Sequence, residues 1–213
     1  MSKVKIDISV SLDGYVAGPD PSLDDPLGKG GEQLHEWVVG LAAWRKPHGL
    51  EGGETNQDSE VVEELTAGLG ATAMGRRMFS GGSGPWEEDP NANGWWGAEP
   101  PFRHPVFVLT HHPRERLEMK GGTTFEFVTD GVEAALERAR VAADGKDVNV
   151  SGGADAVQQC LNARLVDEMQ LHVVPVALGS GRRLLDGLDP AIRFEIDRVI
   201  DSPSVTHLRY RVS

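Results

Sequence analysis

Four short runs in the 213-residue chain carry the residue types that could do chemistry. Ser151-Gly152-Gly153-Ala154 follows the apolar Val148-Asn149-Val150 and precedes apolar residues at helical spacing up to Leu161. Two adjacent glycines let a phosphate approach the backbone without Cβ interference, beside helix amides that attract anions. A plain tight turn would use the same residues. Gly75-Arg76-Arg77-Met78 closes a second short apolar run, Ala71 to Met74. Guanidinium matches phosphate geometry better than ammonium does, although an arginine pair is also ordinary solvated surface. Thr110-His111-His112 ends a third run, Val106 to Leu109, and offers a hydroxyl and imidazoles to a ribose or phosphate. Asp13 stands at the turn signal Asp13-Gly14 after the alternating Val4 to Leu12. A carboxylate there could orient a substrate or assist protonation, or it could cap its own turn.

Other chemistries lack their residues. The adjacent histidines do not have the i, i+4 spacing of a helical zinc pair, and Cys160 is the single cysteine, so no metal site and no internal disulfide is expected. The G-x-G-x-x-G fingerprint is absent after the first strand, and Gly81-Gly82-Ser83-Gly84 is not a G-x-S-x-G elbow.

The elements that must position these runs follow from periodicity. Val4 to Leu12 reads as a strand; Leu34, Trp37, Val38, Leu41 and Trp44 predict a helix over 32–45; Val61, Val62, Leu65 and Leu69 predict another, capped by Asp58 or Ser59 and closed by Gly70. Strands are expected at 71–74, 106–109, 123–128, 148–150 and 166–178, the last interrupted near Pro175, with helices at 132–143 and 154–161. Strand and helix alternate, which implies a parallel sheet. Phe194 to Ile200 and Val205 to Val212, around Asp201-Ser202-Pro203-Ser204, predict an antiparallel hairpin. Residues 80–104 are rich in Gly and Pro and carry Trp86, Trp95 and Trp96, which suits either a lid or a loop pinned by burial.

Composition narrows the class. Hydrophobic residues make up 39% and charged residues 25%, enough for an ordinary core and unlike a disordered or fibrous chain. Net charge is −12, and residues 1–60 hold 11 acids against 5 bases, so no nucleic-acid footprint is expected. The charged start and the absence of a long apolar run predict neither export nor a membrane span, and with one cysteine a cytoplasmic location is expected.

In order, these pieces resemble the dihydrofolate reductase-like superfamily, and more closely the stand-alone relatives of the reductase domain of bacterial riboflavin biosynthesis. The resemblance rests on Ser9-Val-Ser-Leu-Asp-Gly-Tyr-Val-Ala-Gly18, Ala73-Met-Gly-Arg-Arg-Met-Phe79, Val106-Phe-Val-Leu-Thr110, Val148-Asn-Val-Ser-Gly-Gly153 and Asp167 to Gly179, nearly the whole chain. It implies one α/β domain over 1–213, a three-layer fold with a mostly parallel central sheet and an antiparallel C-terminal hairpin, with insertions at about 19–60 and 80–104. It also implies NADPH. Gly75, Arg76, Arg77 and Met78 would hold the adenosine-side phosphates, with Arg76 or Arg77 near the 2′-phosphate and Thr110 and His111 lining that end. Ser151, Gly152, Gly153 and Ala154 would hold the pyrophosphate, with Gly152-Gly153 a candidate cis peptide. Ala17 and Gly18 would flank the nicotinamide. Asp13, Trp86, Gly179, Gly181 and Arg182 would face the substrate, with Asp13 or a water it holds delivering the proton. The deaminase half of the bifunctional enzymes has no counterpart, since H-x-E and P-C-x-x-C are absent. The carboxylate that folate reductases carry on the helix after the first loop has only Glu32 and Glu36 as candidates.

The expected function is hydride transfer from NADPH to a C=N or C=O carbon of a pterin-like or ribosylaminopyrimidine heterocycle, as in 5-amino-6-(5-phosphoribosylamino)uracil reductase. The alternatives are a dihydrofolate reductase, a broad-specificity NADPH reductase, or a nucleotide-binding protein without catalysis. A homodimer is expected through the 169–178 strand or the terminal hairpin.

Overall fold

The computed structural model describes residues 2–213. Its strands are β1 (Val4–Ser11), β2 (Tyr15–Ala17), β3 (Leu69–Gly75), β4 (Pro105–Leu109), β5 (Leu117–Glu118), β6 (Thr124–Val128), β7 (Asp147–Val150), β8 (Glu168–Val174), β9 (Arg182–Arg183), β10 (Phe194–Asp201) and β11 (Thr206–Val212). The α-helices are α1 (Glu36–Val39), α2 (Ala42–Arg45), α3 (Gln57–Thr66), α4 (Arg76–Ser80), α5 (Val132–Ala142) and α6 (Ala154–Asn162). Nine strands form one sheet in the order β10-β11-β8-β1-β7-β3-β4-β6-β5. From β8 to β6 every pairing is parallel, as the short apolar runs of β4 and β7 lead one to expect of strands covered on both faces. β11 and β10 add the antiparallel hairpin.

Alternation along the strands separates the two faces. Val4, Ile6, Ala71, Ala73, Phe107, Val148 and Val150 pack on α5 and α6 in the main core. Met74, Val106 and Val108 point the other way and join Phe79, Phe125, Trp86 and Trp96. On that same second face, over β8 and β11, lie Leu34, Trp37, Val38 and Leu41. The result is the expected α/β three-layer arrangement.

Details depart from the sequence reading where tertiary contacts intervene. The helix expected over 32–45 is a 3-10 turn (Gly31–His35) followed by α1 and α2, because Leu41 turns extended (ψ 139°) and its neighbours exchange backbone bonds with Glu54. α3 is capped by Asn56 in a reciprocal box with Ser59, while Asp58 is drawn inward to His207. The helix ends at Thr66, and Gly70 already belongs to β3.

Candidate functional site

The parallel strands end in loops along one edge of the sheet, where β1, β3, β4 and β7 deliver the four predicted runs. The first contact among them is backbone to backbone: Gly75 N donates to Gly152 O at 2.8 Å, and Ser151 N donates to Ala73 O at 3.0 Å. Gly152-Gly153 is a cis peptide. Gly152 has φ 108°, a glycine conformation, and a side chain at Gly153 would meet nothing within 4 Å. α6, nine residues long, starts there with no side-chain cap, so its first amides face the open edge. The Met78 sulfur lies along the same junction.

The arginine pair divides. Arg77 is exposed and reaches only Asp155 Oδ2, at 3.7 Å, in the first turn of α6. Arg76 is buried: its guanidinium donates to Ser80 Oγ and Asp89 Oδ2 and lies over the Trp86 ring, 3.6 Å from the centroid. This corrects the expectation for Arg76, whose guanidinium is not presented to a cofactor phosphate. Asp89 is held ionised there against the cost of its own burial, by Ser80 and Arg76.

Trp86 is corrected as well. It packs against Phe127 and Phe79, and its Nε1 donates to His112 O at 2.8 Å, so it belongs to the β4–β6 side and not to the group around Asp13. Trp96 stacks edge-on to Phe102, and Arg114 ties Ala92 and Asn93 to the same cluster. Of the two readings of residues 80–104, these contacts match the loop pinned by burial. Thr110 Oγ1 accepts from His112 N at 3.1 Å and is itself buried, whereas His111 is exposed at the end of β4.

On the β1 side, the two-stranded β2–β9 pairing brings Ala17 and Gly18 against Gly181 and Arg182. A Cβ at Gly18 would stand 2.1 Å from Lys29 O, and one at Gly181 the same distance from Ala17 O. Close backbone packing therefore requires both glycines. Asp13 braces this group. Its Oδ1 accepts from Ser11 Oγ (2.6 Å) and Leu178 N (3.1 Å), and its Oδ2 accepts from Gly179 N (2.7 Å). The Ser11 hydroxyl, with those amides, lowers the Asp13 carboxyl to about 2. At neutral pH Asp13 is therefore ionised and acts as an acceptor toward Ser11, Leu178 and Gly179, so of the two expected proton sources, Asp13 itself or a water it holds, these contacts suit the water.

The two halves meet at a residue that sequence reasoning missed. Asp155 Oδ2 lies 3.1 Å from Arg182 and 3.7 Å from Arg77, joining β9, α6 and α4 across the edge. An acid one position inside a helix start is too common for the sequence to mark it. Glu32 and Glu36 are exposed, and neither hydrogen-bonds to this group. Among the described residues no cluster of His, Cys, Asp or Glu suits a metal ion, and no helix is long and apolar enough to cross a membrane.

Comparison with known proteins agrees with this architecture. A Shewanella sp. PV-4 protein assigned to riboflavin biosynthesis superposes with TM-score 0.63 at 20% identity, covering 100% of this chain and 99% of its own. A Thermotoga maritima diaminohydroxyphosphoribosylaminopyrimidine deaminase/5-amino-6-(5-phosphoribosylamino)uracil reductase gives 0.58 at 15% identity. That match covers 99% of this chain but 56% of the bifunctional protein. Acinetobacter baumannii RibD gives 0.57 at 17%, covering 100% of this chain and 58% of its own. These likenesses establish a dihydrofolate reductase-like fold. No curated protein sequence matches. The sequence profile of the RibD C-terminal domain matches residues 2–208, so with its glycine-lined sheet edge and cis Gly152-Gly153 the chain belongs to the RibD C-terminal domain family.

Proposed function

We propose that the chain is an NADPH-dependent reductase acting on a ribosylaminopyrimidine or related flat heterocycle. The observation that carries this reading is the meeting of an open, glycine-lined anion edge with a separate pocket wall through Arg77, Asp155 and Arg182. The residues present fit a dinucleotide: Gly153 leaves room for a close approach, the α6 amides have no side-chain cap, and the exposed Arg77 stands beside them, held only by its 3.7 Å contact to Asp155. When bound, NADPH supplies the hydride. Ser151 to Ala154 would hold its pyrophosphate and Arg77 its 2′-phosphate, with His111 and the backbone beside Thr110 at the adenosine end. Ala17 and Gly18 would lie along the nicotinamide. The pocket wall of Gly179, Gly181 and Arg182 would orient the heterocycle, and the exposed Arg182 suits a phosphate on the substrate. Asp13 keeps that wall in place through Gly179 N, and its remaining lone pairs can orient a water, which gives the proton that the product needs. The riboflavin-type substrate follows from the relatives' stated activity.

The contrast between the two arginines tests this reading by calorimetry. Arg77→Ala removes a charge-assisted phosphate contact, worth about 1.5–3 kcal/mol, and is expected to weaken NADPH about tenfold or more while leaving NADH nearly unchanged. Arg76→Ala acts through folding stability. Equal loss of both nucleotides in Arg77→Ala would place the 2′-phosphate elsewhere.

A further inference from the structure

A file of buried polar side chains lies on the sheet face covered by residues 31–66, away from the cleft. His172 Nε2 stands 2.5 Å from Asp7 Oδ1, His172 Nδ1 2.6 Å from His207 Nδ1, and His207 Nε2 3.0 Å from Asp58 Oδ1. Ser202 Oγ donates to Asp58 Oδ2 at 3.0 Å. β1, β8, β11 and α3 each contribute one member. Both rings and Asp58 are buried; Asp7 is half-buried. Trp37 of α1 covers the two imidazoles, with centroids 4.6 and 5.2 Å away, and donates from Nε1 to Ser9 Oγ. His35, in the turn before α1, faces Asp7 and His172, and its Nδ1 has no partner. Asp58 borders a cavity of about 270 Å³, whose other acids are Glu36 and Glu54.

Counting protons gives the state of this file. Three gaps separate the four groups, and each needs one proton, because an imidazole nitrogen and a carboxylate oxygen cannot bond lone pair to lone pair. Two neutral imidazoles bring two protons. The third makes one ring an imidazolium. Burial pushes His207 down, so His207 is the neutral ring, accepting at Nδ1 and donating from Nε2 to Asp58. His172 then donates from both nitrogens, to Asp7 and to His207, with the Trp37 ring beside its charge. A fourth proton finds no place on the rings, since the gap between the Nδ1 atoms holds only one and two N–H groups there would meet head on.

We propose that this file is an acid-sensitive latch that fastens the 31–66 segment to the sheet, complete with three protons and split by a fourth. The segment's own members are Asp58, Trp37 and His35. Opening exposes His207, which then titrates near its free value of about 6.5 and takes up one proton. Below that pH, linkage makes the opening constant rise by about tenfold per pH unit until the closed file itself protonates. His35, which burial also pushes down, adds a second proton if its surroundings open too.

Hydrogen exchange on the full chain, corrected for the intrinsic pH dependence of amide exchange and measured between about pH 7.5 and about pH 5, reads this slope. Below about pH 6.5, amides of α1 and α3 should lose protection by about tenfold per pH unit, while above it the slope vanishes and α5 on the opposite face does not follow. In His207→Gln, whose side chain does not titrate, the slope should fall by one proton. A wild type without the slope, or a folded variant that keeps it unchanged, would overturn the latch. Should the variant not fold, NMR of isotope-labelled histidines in the wild type decides. One ring protonated on both nitrogens beside one protonated only on Nε2 is the expected pattern; two neutral rings at neutral pH would overturn it.

Discussion

Asp13 and the arginine pair show how much depends on the partner of a side chain and not on its type. Ser-Leu-Asp-Gly can be read as a catalytic carboxylate or as an aspartate capping its own turn, and only one contact is of the turn: Asp13 accepts the Ser11 hydroxyl locally and the Leu178 and Gly179 amides from a distant segment. Carboxyl NMR should find it titrating at about 2, well below a free aspartate at about 3.9. An ordinary midpoint would mean that the Ser11 and Gly179 bonds are not formed in solution. Adjacent arginines looked equivalent in sequence because nothing in Gly75-Arg76-Arg77 foretells Asp89, thirteen residues on, which claims Arg76. Asp155 and the buried histidines escaped for the same reason: their partners come from distant segments, and a single acid or histidine carries no periodic signal.

At the scale of elements, the parallel strands and α5 and α6 were legible because burial on both faces writes continuous apolar runs, and burial on one face writes a helical stripe. Residues 31–45 were not. Leu34, Trp37, Val38 and Leu41 satisfy a helical period while the backbone changes from 3-10 to α and breaks at Leu41, since the period records only which side chains are buried. The β2–β9 pair had no signal at all, being two short segments held by each other. It depends on Gly181, whose φ is 131° and whose missing Cβ admits Ala17 O. Gly181→Ala should therefore displace Ala17 and Gly18 and disorder this pair, raising the substrate KM and weakening NADPH together. A folded variant that keeps both would show that neither ligand depends on this pair.

Across the whole molecule, stability should fall on acidification. Burial lowers His104 to about 4 and pushes His35 and His207 down as well. An unfolded chain takes up these protons near pH 6.5, so the stabilising effect of neutral, buried rings is complete above about 6.5 and is lost as pH falls toward about 4. Denaturant titrations across that window should show a falling midpoint; a flat profile would mean that the rings are solvated. The sheet that these rings underpin also presents the edge at which, in the function proposed above, hydride passes from NADPH to a heterocycle.

The most direct test is isotope transfer. The purified chain would be given NADPH deuterated at the transferable nicotinamide position together with 5-amino-6-(5-phosphoribosylamino)uracil, and the product analysed by mass spectrometry. One deuterium is expected in the reduced product, formed in step with NADPH oxidation. Folded chain that binds NADPH yet transfers no label to this substrate or to related heterocycles would contradict the proposed function.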